Sequence, residues 1–141
     1  MSYRKHFIPL ESDPDIFSSL SHELGVAPSL VFQDVLSIDD REILAFVPRP
    51  VLALVLVFPA SDSESSVRNE DKSKQKYIES GEDDSVLWFQ QTIHNACGLY
   101  AVLHAVCNGD AREHIGERSM KTIESYANED IPQNPAPPWL T

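Results

Sequence analysis

The segment FQQTIHNACGLYAVLHAVCNG, residues 89–109, decides how this chain folds. A polar run at residues 90–95 leads into a stretch whose apolar residues point in every direction of a helix, so this helix must be buried on nearly all sides. Asn95 is a favourable N-cap residue and would make Cys97 the second residue of the helix. The sequence therefore predicts a buried helix with a thiol in its first turn.

Cys97 would lie where a helix leaves backbone N–H groups unpaired and carries partial positive charge. A thiolate, the nucleophilic form of cysteine, is stabilised at such a position. Gly98 could leave room beside the sulfur for a substrate backbone, and the Gln91 amide could donate to an oxyanion formed on an attacked carbonyl. The alternative is that Cys97 is a small hydrophobic residue of the core, as free cysteines usually are. Composition and spacing leave both interpretations open.

The size and charge of the chain limit its class and its partners. Its 141 residues are enough for one domain at most, and 42% hydrophobic residues are ordinary for a globular core. The net charge is −11, and no segment is dense enough in lysine and arginine to meet phosphates. We therefore expect no nucleic-acid partner, and a basic protein would be the natural electrostatic partner.

The two cysteines and the apolar segments predict a compartment. On one helix, Cys97 and Cys107 would lie about 15 Å apart, whereas a disulfide needs Cα atoms within about 7 Å. Both thiols are therefore expected to be free, as in a reducing compartment. The chain starts without the apolar core of a signal peptide, and the apolar run at residues 51–59 is about half a membrane span. We expect a soluble, cytoplasmic monomer without a cofactor, a metal or a membrane contact.

Two further helices are predicted upstream of Cys97. The segment at residues 12–26 can be capped by Ser12 or Asp13, Pro14 suits the first helical position, and Gly25 suits the end. Residues 39–47 predict a short capped helix that ends before the prolines that follow.

Two strands and a loop complete the prediction. Residues 29–38 partly alternate between apolar and polar side chains, which favours a strand. Residues 51–58, VLALVLVF, form a continuous apolar run typical of a central strand covered on both faces. Residues 61–85 are polar and predict a solvated loop. After Ala111 the secondary-structure signal fades.

Three segments together resemble one family. The sequence QTIHNACG at residues 91–98, followed by LYAVLHAVCNG, closely resembles the active-site segment of the ubiquitin C-terminal hydrolases, a papain-like family of cysteine proteases. FIPLESDPDIFSSLSHELGV and FQDVLSIDDREILAFVPRPVLALVLVFP precede it in the order the family uses. The resemblance covers about residues 7–112, except residues 61–85. It implies an α/β fold with helices around a small, mostly antiparallel sheet.

The resemblance also implies a domain division and a chemistry. Residues 1–112 would be the N-terminal part of the catalytic domain, and residues 113–141 a divergent, proline-rich tail. Cys97 matches the nucleophile that attacks the carbonyl at the C-terminal glycine of ubiquitin, and Gln91 matches the oxyanion donor. The reaction passes through a thioester and releases ubiquitin from a small adduct.

The sequence departs from the family pattern at the general base. The family takes its catalytic histidine and orienting aspartate from downstream segments that this chain lacks. His104 would lie two helical turns from Cys97, about 10 Å away and beyond hydrogen-bond reach. His94 is near in sequence but has no orienting acid, His114 cannot be placed, and His22 is expected at the surface. The alternative is therefore a truncated, catalytically impaired fragment that binds ubiquitin.

Overall fold

The computed structural model describes Ile8, residues 10–58, residues 86–91, Ile93 and residues 95–128. These residues form helices α1 (Pro14–Glu23), α2 (Arg41–Leu44), α3 (Cys97–Cys107) and α4 (Glu117–Asn128), with a 3₁₀ helix (Gly109–His114) between α3 and α4. Within this part of the chain, no helix combines the length and the apolar character needed to cross a membrane.

Helix α3 lies at the centre of the hydrophobic core. Val102 and Cys107 are completely shielded from solvent, because apolar neighbours surround this helix. Those neighbours come from α1, from the segment before α3 and from α4. The predicted helix is formed, but only five of its eleven residues are buried and five others are half-buried, so it is not buried on nearly all sides as predicted. The other buried members of the core cluster are Phe17, Leu24, Val26, Leu87, Phe89, Leu99, Leu103, Val106, Ile115, Met120 and Ile123.

Helix α1 begins and ends at the residues that the sequence indicated. Asp13 Oδ1 accepts hydrogen bonds from the backbone N–H groups of Asp15, at 2.8 Å, and Ile16, at 3.3 Å. Pro14 occupies the first helical position, where its missing N–H has no intrahelical partner to lose. Gly25 follows the helix with φ of +95°, the left-handed conformation that a helix end favours. Local capping chemistry therefore sets both ends.

Helix α2 is a single capped turn. Asp40 Oδ1 accepts from the N–H groups of Glu42, at 2.9 Å, and Ile43, at 3.3 Å. The helix ends at Leu44, four residues before Pro48. The predicted short helix is confirmed, although the turn stops well before the prolines and has no buried residue.

The two predicted strands are not formed in the part of the chain that the structure describes. Residues 29–38 and 51–58 are irregular, and Leu54, Leu56 and Phe58 are about two-thirds exposed or more. A strand forms only beside a partner that exchanges backbone hydrogen bonds with it. The described residues contain only an isolated antiparallel bridge between Val26 and Ile115. The central-strand prediction is therefore wrong here, and the papain-like sheet is not confirmed.

Helix α4 was not predicted from the sequence. It lies within residues 113–141, the segment assigned to the divergent tail, and contributes the buried Met120 and Ile123 to the core. Its remaining described side chains are mostly polar, so two apolar residues three positions apart were too weak a pattern to identify. An ion pair between Arg112 and Glu124 connects it to the 3₁₀ helix. Residues 61–85 and 129–141 of the predicted loop and tail lie outside the described residues.

Gly25 allows the end of α1 to approach the start of α4. The carbonyl of Gly25 accepts from the N–H of Gly116 at 3.0 Å, and the N–H of Ala27 donates to the carbonyl of His114 at 2.8 Å. A Cβ atom built on Gly25 would lie 2.3 Å from Ser119 Oγ and 2.9 Å from Ser119 Cβ. The close approach therefore requires glycine on both conformational and steric grounds.

We predict that Gly25→Ala destabilises the chain more than Gly109→Ala. Gly109 also has positive φ, +55°, but a Cβ there would meet no atom within 4 Å. The Gly109 variant should therefore lose only the conformational term, about 1–2 kcal/mol, and the Gly25 variant should lose the overlap in addition. Denaturant unfolding followed by circular dichroism measures both. Equal losses would contradict the tight packing of Ser119 on Gly25.

Candidate active site around Cys97

Cys97 is the first residue of α3 and its side chain is exposed. The predicted cap at Asn95 is wrong: Ala96 is the N-cap, and Asn95 has φ of +59°. Asparagine tolerates this left-handed conformation better than most residues, because its short polar side chain can bond locally. The chain therefore enters α3 through a turn at Asn95 and not through a side-chain cap. The exposure of Cys97 rules out the interpretation that it is a core residue.

The start of α3 favours an anion. Its N-cap makes no side-chain hydrogen bond, and its first turn contains no acidic residue. The N–H groups of a first turn have no intrahelical acceptor and carry partial positive charge. A thiolate on Cys97 would lie beside these N–H groups without a competing carboxylate in that turn.

Gly98 serves a different purpose from the one the sequence suggested. A Cβ atom on Gly98 would lie 3.0 Å from Leu10 Cβ and 3.3 Å from Leu10 Cδ2. The space beside the Gly98 backbone is therefore filled by Leu10 from the N-terminal segment. Gly98 allows that segment to pack onto the first turn of α3, and the predicted room for a substrate backbone is not found on this side.

Gln91 lies exposed in the segment that leads to α3. Its Nε2 donates to the carbonyl of Ile93 at 3.0 Å. A side-chain amide has two N–H groups, and this bond uses one of them. Gln91 and Cys97 are thus both exposed, six positions apart, at the two ends of one short loop.

The described histidines are occupied elsewhere or lie far from Cys97. His104 Nε2 accepts from the N–H of Phe89 at 2.9 Å, and burial lowers the pKa of its imidazole below 6.5. His22 is half-buried with Nε2 2.8 Å from the carbonyl of Leu30, so its expected surface position is corrected. His114 follows the opposite end of α3. His94 lies outside the described residues.

Cys107 contrasts with Cys97 on the same helix. Its side chain has no exposed area, and burial raises the pKa of the thiol to about 12. The positive charge of Arg112 opposes this rise and the negative charge of Glu124 adds to it. Both cysteines are free, as expected. Cys107 is therefore a core residue that stays protonated at neutral pH.

Sequence reasoning missed the role of Asn108. Its Oδ1 accepts from the N–H of Leu87 at 2.7 Å, and its Nδ2 donates to the carbonyl of Leu87 at 3.0 Å. These bonds hold the segment before Gln91 against the end of α3. An asparagine one turn after a histidine is the only trace of this arrangement in the sequence.

We predict that a small alkylating reagent modifies Cys97 and spares Cys107 in the folded chain. The first thiol is exposed, and the second is buried with a raised pKa. Iodoacetamide at pH 8 followed by peptide mass mapping measures the two sites separately. The same reaction in denaturant is the control and should modify both at similar rates. Comparable modification of Cys107 in the native chain would contradict its assignment to the core.

Comparison with known proteins agrees with the resemblance found in the sequence. A family model described as ubiquitin carboxyl-terminal hydrolase, family 1, matches residues 7–134, which include α4. The Saccharomyces cerevisiae protein named ubiquitin carboxyl-terminal hydrolase YUH1 is 40% identical over 127 residues, covering 90% of this chain and 50% of that protein. An Aplysia californica ubiquitin carboxyl-terminal hydrolase is 36% identical over 135 residues, covering 96% and 59%.

A human relative agrees with the other two. Ubiquitin carboxyl-terminal hydrolase isozyme L1 of Homo sapiens is 30% identical over 129 residues, covering 90% of this chain and 55% of that protein. The chain spans about half the length of the curated relatives it matches. A family match over most of the chain and an identity of 40% place it without ambiguity. The chain belongs to family 1 of the ubiquitin carboxyl-terminal hydrolases.

Proposed function

We propose that this chain provides the nucleophile and the oxyanion donor of a thiol-dependent hydrolase that releases ubiquitin from small C-terminal adducts. One observation carries the proposal: Cys97 is exposed at the start of a helix whose other cysteine is fully buried. The names of the relatives, all ubiquitin carboxyl-terminal hydrolases, supply the substrate class.

In the proposed reaction, the Cys97 thiolate attacks the carbonyl carbon at the C-terminal glycine of ubiquitin. A bond forms between Sγ and this carbon, and the carbonyl oxygen becomes an oxyanion. The first-turn N–H groups of α3 and the amide of Gln91 would donate to that oxyanion. The tetrahedral intermediate then expels the leaving group and forms a thioester, which water hydrolyses to free ubiquitin and the thiol.

A second candidate function is a ubiquitin-binding fragment with impaired turnover. It is favoured by the position of His104, whose Nε2 is occupied by the N–H of Phe89. An amine leaving group must receive a proton, and a thiol must lose one, so turnover requires a general base and acid. Among the described histidines, none is placed to fill this role for Cys97. The two candidates share the nucleophile and differ in turnover.

We predict that ubiquitin with a C-terminal vinyl sulfone forms a covalent adduct with Cys97. Cys97→Ala should abolish the adduct, which a gel shift and mass mapping detect, whereas Cys107→Ala should retain it. Labelling that persists in Cys97→Ala would contradict the proposed nucleophile. Turnover of a ubiquitin–fluorophore amide distinguishes the candidates. We expect no turnover above the Cys97→Ala level, and repeated turnover that depends on Cys97 would favour the complete hydrolase.

We predict that Gln91→Ala slows acyl transfer from a ubiquitin C-terminal thioester to Cys97 much more than it weakens ubiquitin binding. Removal of one oxyanion donor typically lowers the rate by about 10²–10³-fold. Gln90→Ala is the matched control, because Gln90 is the exposed neighbour of the same residue type. Single-turnover kinetics and a separate binding titration give the two quantities. Equal losses of rate and affinity would identify Gln91 as a structural residue.

A further inference from the structure

Asn108 pairs with Leu87 as a neighbouring strand would. Its amide accepts from the N–H and donates to the C=O of this one residue, at 2.7 Å and 3.0 Å. In an antiparallel sheet, a hydrogen-bonded pair exchanges the same two bonds. Nδ2 also donates to the carbonyl of His104 at 3.0 Å, so both of its N–H groups are used. Because the N–H of Leu87 can only donate, the atom facing it must be the amide oxygen.

His104 provides the third bond to the same segment. Its Nε2 lies 2.9 Å from the backbone N of Phe89, so this nitrogen must be the acceptor. The imidazole is therefore neutral with its proton on Nδ1. The ring also stacks on Trp88, with centroids 4.8 Å apart and planes inclined by 24°, and contacts the ring of Phe89 at 5.3 Å.

The spacing of these residues matches between helix and segment. His104 lies in the last turn of α3 and Asn108 is its C-cap, four positions later, which corresponds to about 6.0 Å along a helix. Leu87 and Phe89 are two positions apart, which corresponds to about 6.6 Å in an extended chain. One helical turn therefore presents two polar side chains in register with two backbone N–H groups. Both segment residues are buried at 7% exposure, so unmet bonds there would be costly.

We propose that His104 and Asn108 are positioning residues, which fix the loop that carries Gln91 relative to Cys97. Phe89 precedes Gln91 by two positions, and Cys97 precedes His104 by two turns of the same helix. Both ends of the loop are thus attached to α3. This inference rests on the proposed function only in taking Gln91 and Cys97 as the reacting pair.

A purely structural role is the competing explanation, because the same side chains fill space against Trp88 and Phe89. Two substitutions separate the roles. His104→Gln keeps a neutral acceptor near the position of Nε2, whereas His104→Phe keeps a ring for stacking and leaves the N–H of Phe89 without its acceptor. Trp88, Phe89 and Asn108, which hydrogen-bond or stack with His104, are all uncharged.

Protonation of His104 provides a third probe. The imidazolium has no acceptor, so it cannot hold the N–H of Phe89. Burial lowers the pKa of His104 from its ordinary value, so the neutral form and its bond are present at neutral pH and are lost only as the pH falls through that lowered pKa. The glutamine variant does not titrate and should keep the bond throughout.

The experiment measures acyl transfer from a ubiquitin C-terminal thioester to Cys97 in single turnover, between pH 5 and 8. Sγ of Cys97 forms the new bond to the carbonyl carbon, and the leaving thiol departs as a thiolate. At pH 7.5, His104→Phe should react at least about tenfold more slowly than the unaltered chain, since small misplacements of reacting groups cost about this much or more. His104→Gln should restore most of the rate. Alkylation by iodoacetamide, which does not need Gln91, should be similar in all three.

The ratio of rates between the unaltered chain and His104→Gln removes pH effects that the two share. Any fall of this ratio at acidic pH, as the imidazole of His104 becomes protonated, should occur without a change in circular dichroism or in the iodoacetamide ratio. Equal thioester rates in His104→Phe and the unaltered chain, or failure of His104→Gln to restore the rate, would each overturn the positioning role. If the unaltered chain forms no adduct at Cys97, the proposed function and this inference both fail. If Cys97-dependent adducts form but His104→Phe or His104→Gln gives one of these contrary results, only this inference fails.

Discussion

The burial of one face of α3 is the constraint on which the rest of the structure depends. Five of its eleven residues are buried, and α1, the segment at residues 87–89 and α4 pack against them. Cys97, the first residue of the helix, lies outside this packing, whereas Cys107 is part of it. The exposure of one thiol and the burial of the other therefore follow from one arrangement, in which about three helical turns separate them.

Burying a segment that belongs to no sheet requires another source of hydrogen bonds. The backbone of residues 87–89 lies against α3, where an unpaired N–H or C=O would be as costly as a lost hydrogen bond. His104 and Asn108 supply three of the required bonds from the helix side. His104 in the last turn of α3 and Asn108 at its C-cap are thus not exceptions to the apolar character of the helix. They are the condition under which an irregular segment can pack against it.

Local interactions explain which parts of the fold could be predicted. Asp13, Pro14 and Gly25 define α1 through bonds within a few residues, and Asp40 does the same for α2. A strand at residues 51–58 would need a partner that is distant in the sequence, and these residues do not specify that partner. Their apolar pattern therefore predicted a strand that the described residues do not form. Helix α4 has too few apolar residues to be recognised without the core that covers them.

The candidate site shows the same difference between what local interactions predict and what they do not. Local physics placed Cys97 at a helix start but left it open whether the thiol is buried, and the observed exposure settles that question. The role proposed for Gln91 came from resemblance, because an exposed amide has no local signal of function. The described hydrogen bond of the Gln91 amide, from Nε2 to the carbonyl of Ile93, uses one of its two N–H groups. This bond therefore orients the amide without using the second N–H group, which is what the proposed role as a donor requires.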